Sequence, residues 1–445
     1  MRLNIPHFVM SILNRLTDNG HEAYIVGGCI RDILLDKEPE DWDVATSALP
    51  HNVMEIFHDK KVISTGEKYG TVTVVEHDDK VEVTTFRSEG GYSDSRHPDW
   101  VSFGDNVVDD LSRRDFTINS IAWNHIKGII DPFGGMEDLN KGIIRAVGNP
   151  PDRFSEDALR MIRAVRFASN LNFVIEDETL KAIKNLASTI KNISIERIRE
   201  ELFKILAGPS PSYGMNILMD AGLIEFMLPE MMMTIDFRQN NPYHYMDVYQ
   251  HTLCVLDNCP PLLHIRLAAL FHDIGKPYCY TEDAKGIGHF YGHDKKSVEI
   301  AIKTLKRLKS SNKLIKKVSL LVEHHMKYYK RNERYKIKRL IGEIGKDNIF
   351  DLLSLQKADA MCKNKPELID NALEMENTVE DIFSRNEPID LKDLAINGED
   401  LIKSGFNPGV EMGKILNELL DMVIKRPELN NKETLLEIIM CKPLN

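Results

Sequence analysis

No C-x-x-C pair occurs among the six cysteines of this 445-residue chain, Cys29, Cys254, Cys259, Cys279, Cys362 and Cys441. Their scatter indicates neither a zinc knuckle nor a disulfide framework. No apolar run approaches the length of a membrane span, and residues 1–20 lack a charged segment followed by a long apolar core. Low-complexity tracts are missing as well, and 42% hydrophobic with 28% charged residues is an ordinary globular mix. These absences exclude a disulfide scaffold, a membrane span and a disordered chain. The expectation is a cytoplasmic protein in a reducing compartment, with no obligate protein partner indicated. Basic charge is also short: 57 Lys and Arg stand against 68 Asp and Glu, a net charge of -11. Nucleic-acid enzymes usually carry a basic surface. Here the excess is local, in Lys303–Arg339, where fourteen Lys or Arg face two Glu on helical spacing. Such a stripe suits either a solvated face or a phosphate track. The length accommodates roughly two to four domains, each with a buried core.

What is present begins with Tyr24–Thr46, YIVGGCIRDILLDKEPEDWDVAT. An apolar run enters Gly27-Gly28, and the residues from Cys29 to Leu35 suit a helix, with Arg31 and Asp32 in its first turns. Strand, glycine turn and helix start let backbone N–H groups approach a phosphate, while Arg31 supplies a guanidinium fork. Asp41 and Asp43 follow in a strand-like run whose alternation puts both carboxylates on one face. Paired carboxylates beside a phosphate turn suit Mg²⁺ and metal-assisted nucleotidyl transfer.

Val62–Arg87 reads as several strands, and Ser88–Ser102, with Gly90, Gly91 and Pro98, reads as a mobile loop. In Leu111–Ile121, Arg113, Arg114, Asp115 and Asn119 fall near one helical turn and could read a ribose hydroxyl and a phosphate. A helix is predicted over Ser155–Ala168, with Ser155 as N-cap. Along it Asp157, Arg160, Arg163 and Arg166 recur every third residue. Asp157 can accept from an exocyclic amino group and Arg160 can donate to ring acceptors, a pattern that suits C and A. Arg163 and Arg166 are then available to sugar and phosphate. Ile193–Leu206 is an amphipathic helix, and no comparable strand pattern follows it, so the C-terminal half is predicted to be helical.

G-G-x-x-R-D followed by D-W-D resembles the first motif of the class II nucleotidyltransferases of the DNA polymerase beta superfamily, which add CCA to tRNA or build poly(A). R-R-D-F-T-I-N resembles that family's sugar-contacting motif, and E-D-x-x-R its base-selecting motif. The resemblance implies that Glu82, in E-V-T-T-F-R, joins Asp41 and Asp43 as a third Mg²⁺ ligand; by position alone it is an exposed strand residue. It also implies that residues 88–102 are the flexible loop associated with the switch from C to A, and that Asp131–Leu139 is a hinge.

A second constellation spans Tyr249–Asp359: His251, His272-Asp273 in HDIGK, His293, His325 and Asp359, separated by helical segments. Such groups can converge on a metal inside a helix bundle. They resemble the HD phosphohydrolases, whose site would take a divalent transition metal such as Mn²⁺ or Ni²⁺ and act on phosphates or 2′,3′-cyclic phosphodiesters. His289 and His324 are neighbouring alternatives to His293 and His325. In the tail, Gly405, Pro408, Gly409 and Gly413 form a turn into a helix that could hold a backbone phosphate.

The expected architecture is α+β: a polymerase-beta-like head (1–150), a helical nucleotide-selecting neck (151–235), an HD domain (236–365) and a helical tRNA-binding tail (366–445). The implied activity is addition of CCA to the tRNA 3′ end from CTP and ATP, with Gly27, Gly28, Arg31, Asp32, Arg114, Asp115 and Asn119 among the nucleotide-binding residues. Two rival readings are an enzyme adding only the final A, and a metal-dependent phosphohydrolase whose head merely binds RNA.

Overall fold

The computed structural model describes residues 3–76, 79–91, 100–242 and 245–440. The chain divides into two compact units, Met1–Pro229 and Glu230–Asn445.

The first unit opens with α1 (His7–Asp18), β1 (Ala23–Val26), α2 (Gly28–Leu34), β2 (Trp42–Thr46), α3 (Pro50–Ile56), β3 (Lys61–Ile63), β4 (Thr71–Glu76) and β5 (Asp79–Thr85). β6 (Arg87–Gly90), β7 (Trp100–Phe103), α4 (Val107–Ser112), β8 (Ala122–Asn124), β9 (Gly128–Ile130) and α5 (Gly135–Lys141) complete the sheet region. Seven strands form one sheet in the order β3-β4-β5-β2-β1-β8-β9. β2 and β5 run parallel, which places Asp43 directly opposite Glu82. The alternation in β5 explains its face: Val81, Val83 and Thr85 are buried, while Glu82 is exposed. Tyr24, Val26, Ala45, Phe86, Leu111 and Ala122 make a core cluster under the sheet.

The rest of this unit is helical apart from the short parallel pair β10 (Ile143–Ile144) and β11 (Val174–Ile175). Its helices are α6 (Pro150–Glu156), α7 (Leu159–Leu171), α8 (Asp177–Leu186), α9 (Ile195–Ala207), α10 (Pro211–Asp220) and α11 (Ile224–Met227).

The second unit contains α12 (Val248–Asn258), α13 (Leu263–Phe271), the two-stranded ribbon β12 (Thr281–Glu282) and β13 (Gly288–His289), α14 (His293–Arg307) and α15 (Asn312–His324). α16 (Arg334–Ile344), α17 (Ile349–Met361), α18 (Glu367–Ser384), α19 (Gly398–Lys403), α20 (Val410–Lys425) and α21 (Lys432–Met440) follow. Leu401, Leu419, Val423, Leu435 and Ile439 give the last three helices a core of their own. Among the described residues, no helix is long and apolar enough to cross a membrane.

Several expectations are corrected. The helix over 155–168 is broken: Asp157 is extended (φ -146°) between α6 and α7, and Ser155 lies inside α6 rather than at an N-cap. Pro150 and Pro151 start a separate short helix upstream, which shifts the capping role to Asp157, whose Oδ1 accepts from Leu159 N at 3.0 Å. Arg113–Phe116 is a bend rather than a helical turn, followed by a 3₁₀ turn at Thr117–Asn119. The ends of the loop expected over 88–102 pair as β6 and β7, while its middle, 92–99, lies outside the described residues. The C-terminal half includes the β12–β13 ribbon. Cys254 and Cys362, 108 positions apart in the sequence, are joined in a disulfide because the chain between them folds α12 against α17, a proximity that spacing does not reveal. Gly413 lies within α20, and Gly409 precedes its first turn.

Part of the basic stripe is matched by acids. Arg307 pairs with Glu230, Lys317 with Asp351, Lys327 with Glu343, Arg334 with Asp381, and the buried Lys338 with Glu387. Those cations hold the helices together rather than standing open as a phosphate track.

Gly135 marks where α5 meets the turn bearing Asn119. A Cβ there would lie 2.2 Å from Thr117 O and 2.9 Å from Ile121 Cγ1. Because the nearest obstacle is backbone, Gly135→Ala should destabilise the protein by about 1–3 kcal/mol in urea unfolding. An unchanged midpoint would show that α5 can shift away from Thr117.

Candidate active site

A cavity of about 1070 Å³ in the first unit gathers most of the residues singled out in the head and neck. Gly27, Gly28, Arg31, Asp32, Asp41, Asp43, Arg114, Asp115, Asn119, Asp157, Arg160, Arg163 and Arg166 all line it. Glu82 is not part of that wall.

Gly27 sits between β1 and α2 with φ +79°, and a Cβ there would meet Arg114 Nη1 at 2.7 Å and Asp43 Oδ2 at 3.6 Å. The glycine therefore serves both the backbone turn and the approach of a cation and a carboxylate. Burial, with Glu82 and Asp41 adding to it against the Arg114 charge, pushes the Asp43 carboxyl up to about 6. A carboxyl that resists ionisation beside other carboxylates favours a cation there. The three are not pre-closed, however. Among the described residues, the trios of such ligand atoms lying within 4.8 Å of one another belong to the second unit, and Asp41, Asp43 and Glu82 are not one of them. Cys29 also lines the cavity, but burial pushes its thiol up to about 11, so it remains protonated.

The cationic wall is organised by buried acids. Asp110, fully buried, accepts from Arg113 Nη2 at 2.6 Å and from Arg114 Nη2 at 3.3 Å. Arg114 Nε is buried with no hydrogen-bond partner, while its Nη1 and Asp43 Oδ2 both approach the Gly27 turn. Asp115 accepts from Phe116 N at 2.9 Å, Asn119 Nδ2 at 3.0 Å, and Arg163 Nε and Nη2 at 2.8 and 2.6 Å. Burial pushes its carboxyl up, but Arg163 and Asn119 outweigh that and hold it down to about 2. Asn119 Oδ1 accepts in turn from Arg31 Nη1 at 2.9 Å, and Arg31 also donates to Asp32.

Asp157 and Arg160 do not pair with each other. Asp157 binds Arg197 of α9 at 2.7 Å. Arg160 donates to Glu156 Oε2 at 2.5 Å and to the carbonyls of Arg153 and Arg113. Arg166 donates to Glu201 Oε2 of α9 at 2.6 Å. Arg197 and Glu201 went unrecognised as site residues. The helix carries Glu196, Arg199, Glu200 and Lys204 as well, so its sequence does not single out Arg197 or Glu201, although Glu201 is only 4% exposed. Asp110 and Phe167 were missed as well, because each reads as an ordinary helix residue.

In the second unit His251, His272, Asp273, His293, His325 and Asp359 converge, all buried. His251 Nε2 lies 3.1 Å from Asp359 Oδ1 and 3.5 Å from Asp273 Oδ2. His272 Nε2 lies 3.2 Å from Asp273 Oδ2, and His293 Nε2 3.3 Å from Asp273 Oδ1. Nδ1 of His272, His293 and His325 each faces a backbone carbonyl, at 2.7, 2.8 and 2.6 Å. That contact makes Nδ1 the donor and turns the Nε2 lone pairs inward, 3.4 Å apart for His293 and His325. Facing lone pairs fit a metal cation. Burial, with neighbouring imidazoles, lowers His325 to about 3 and keeps it neutral. His289 instead lies 3.2 Å from Asp283, and neither His289 nor His324 joins these contacts.

Comparison with known proteins gives this geometry a context. The profile described as "Poly A polymerase head domain" matches residues 23–145, and "Probable RNA and SrmB- binding site of polymerase A" matches 172–234. A profile for "tRNA nucleotidyltransferase domain 2" matches 293–439. Head and cavity thus define a nucleotidyltransferase. The CCA-adding enzyme of Limosilactobacillus reuteri (strain DSM 20016) is 37% identical over 430 residues, covering 96% of this chain and 94% of that protein. The CCA-adding enzyme of Lactobacillus helveticus (strain DPC 4571) is 36% identical over 416 residues, covering 93% and 92%. The crystal structure of the Bacillus stearothermophilus CCA-adding enzyme in complex with CTP superposes with a TM-score of 0.76 at 29% identity, covering 97% and 96%. The chain belongs to the CCA-adding enzyme family.

Asp115 gives a test of the buried charge network. Its folded value of about 2 lies below the ordinary 3.8, so its contribution to stability is present above pH 3.8 and is lost as pH falls toward 2. Asp115→Asn should therefore be less stable than wild type near neutral pH, by about 2 kcal/mol or more, with the gap narrowing below pH 4. A pH-independent gap in denaturant titrations would show that the Asp115 charge does not stabilise this fold.

Proposed function

We propose that this chain adds CCA to the 3′ end of tRNA from CTP and ATP. The observation that carries the proposal is a single cavity in which the glycine turn, Asp41, Asp43 and a wall of arginines meet. Relatives of nearly equal length named for that activity, one crystallised with CTP, support it. Asp41, Asp43 and Glu82 would hold Mg²⁺, which when bound supplies Lewis-acid polarisation of the attacking 3′-hydroxyl and charge neutralisation at the leaving pyrophosphate. The chain's own groups bind and orient. Gly28 N–H at the start of α2 and Arg31 face the polyphosphate, while Arg114, Arg163 and Arg166 supply further cations for phosphate and sugar. Asp157 and Arg160 would read the base as acceptor and donor. Each is fixed by its own partner, Arg197 or Glu156, which sets its direction before a nucleotide arrives.

In the second unit the six buried ligands would hold a divalent transition metal and activate water toward phosphate esters or 2′,3′-cyclic phosphodiesters. The inward Nε2 atoms support that reading. The tail beyond residue 366 would contact tRNA.

One assay tests the principal reading: purified protein, tRNA primers ending before CCA or after CC, and CTP and ATP supplied separately. Incorporation of both nucleotides in sequence is expected, whereas ATP addition to the CC primer alone would make this an A-adding enzyme. Asp43→Ala should lose more than about a hundredfold in addition rate while remaining folded, since a metal ligand is gone. Near-normal incorporation would reject the carboxylate site.

For the second site, Asp273→Ala should lose bound Mn²⁺ or Ni²⁺ in elemental analysis, because Asp273 belongs to both ligand trios. CCA addition should stay within about twofold of wild type, as the two ligand sets share no residue. Metal retained at the wild-type ratio would reject the cluster as a metal centre.

A further inference from the structure

Three guanidiniums that line the cavity also share one ring. Arg166 Cζ lies 4.1 Å from the centroid of Phe167, Arg31 Cζ 5.0 Å and Arg163 Cζ 5.4 Å, all within the range of cation–π attraction. The ring is 5% exposed and is itself fixed by an edge-on contact with Phe116, with centroids 5.7 Å apart and an interplanar angle of 78°. Each arginine is held at its edge by a different acceptor: Arg31 by Asp32 and Asn119, Arg163 by Asp115, Arg166 by Glu201. The edges of Arg31 and Arg163 are linked through Asn119 and Asp115 and that of Arg166 is bound separately by Glu201, whereas the ring is common to all three. Each guanidinium keeps its own acceptor, and the ring is the one group that lies against all three.

We propose that Phe167 is the positioning residue of the nucleoside-triphosphate site: its π face holds Arg31, Arg163 and Arg166 as one preformed cation cluster for the polyphosphate. This rests on the reading of the cavity as a nucleoside-triphosphate site. The role concerns affinity for the polyphosphate and not the choice of base, because Asp157 and Arg160 make no such contact with the ring.

Fluorination separates this role from packing, since it withdraws electron density from the ring face with little change of shape. Mono-, tri- and pentafluorinated phenylalanine would be introduced at position 167 of the full chain. CTP and ATP binding would be measured by calorimetry, and tRNA extension by steady-state kinetics. The Kd and KM for both nucleotides should rise stepwise with fluorine number, reaching about tenfold for the pentafluoro ring, while kcat stays within about threefold. Phe167→Tyr, which keeps the π face, should remain close to wild type, and Phe167→Leu should resemble the pentafluoro protein. Should the leucine variant fail to fold, the fluorinated series alone decides. Unchanged Kd across that series, or a fall in kcat without grading in Kd, would overturn the assignment. A wild-type protein that binds neither CTP nor ATP would instead overturn the triphosphate reading itself.

Discussion

A hydrogen-bonded relay running from Arg31 through Asn119 and Asp115 to Arg163 is the interaction on which the first unit's cavity depends. Its links measure 2.9 Å, 3.0 Å and 2.6–2.8 Å. It joins the helix after the glycine turn, the bend after α4 and the middle of α7, segments that lie far apart in the sequence. A buried carboxylate without partners is costly. Asp115 therefore requires both Asn119 and Arg163, and the requirement brings the neck helix to the head. Remove the charge of Asp115 and the partly buried Arg163 loses the carboxylate that binds its Nε and Nη2.

The parts of the site legible in the sequence were those set by local geometry. Glycine turn and helix start are properties of a few consecutive residues, so Gly27 and Arg31 could be placed before any fold was known, whereas Asp41, expected to share a strand face with Asp43, lies in the bend just before β2. Glu82 is different. Its position opposite Asp43 follows from the parallel pairing of β2 with β5, and register between distant strands is not written in either strand alone. The i,i+3 row from Asp157 to Arg166 misled for a related reason. The periodicity runs on through Asp157, but the pair Pro150-Pro151 starts one helix and the Asp157 side chain starts another. The carboxylate expected beside Arg160 instead turns to Arg197, a partner forty residues away.

Charge balance was the least legible feature. A count of Lys303–Arg339 leaves a solvated face and a phosphate track equally open, and the acids that pair with part of it, Glu230, Asp351, Asp381 and Glu387 among them, lie outside the window. Composition along a window cannot reveal partners outside it. The Cys254–Cys362 disulfide was hidden in the same way, since spacing rules detect local pairs and this bridge reports the packing of α12 on α17.

The two candidate centres use burial in opposite senses. In the head, burial and neighbouring carboxylates move Asp43 up to about 6, toward the neutral acid, so the arrangement favours whatever cation restores the charge. In the histidine cluster, burial strips protons from His325, lowering it to about 3, and the carbonyls on Nδ1 fix the remaining proton away from the centre. A hard, oxygen-preferring cation suits the first set of ligands, and an imidazole-preferring one suits the second. Under the proposed function, the difference in donor type would let each centre select its own metal. The low dielectric around the buried histidine cluster, unfavourable to its carboxylates when empty, would strengthen the binding of a cation there.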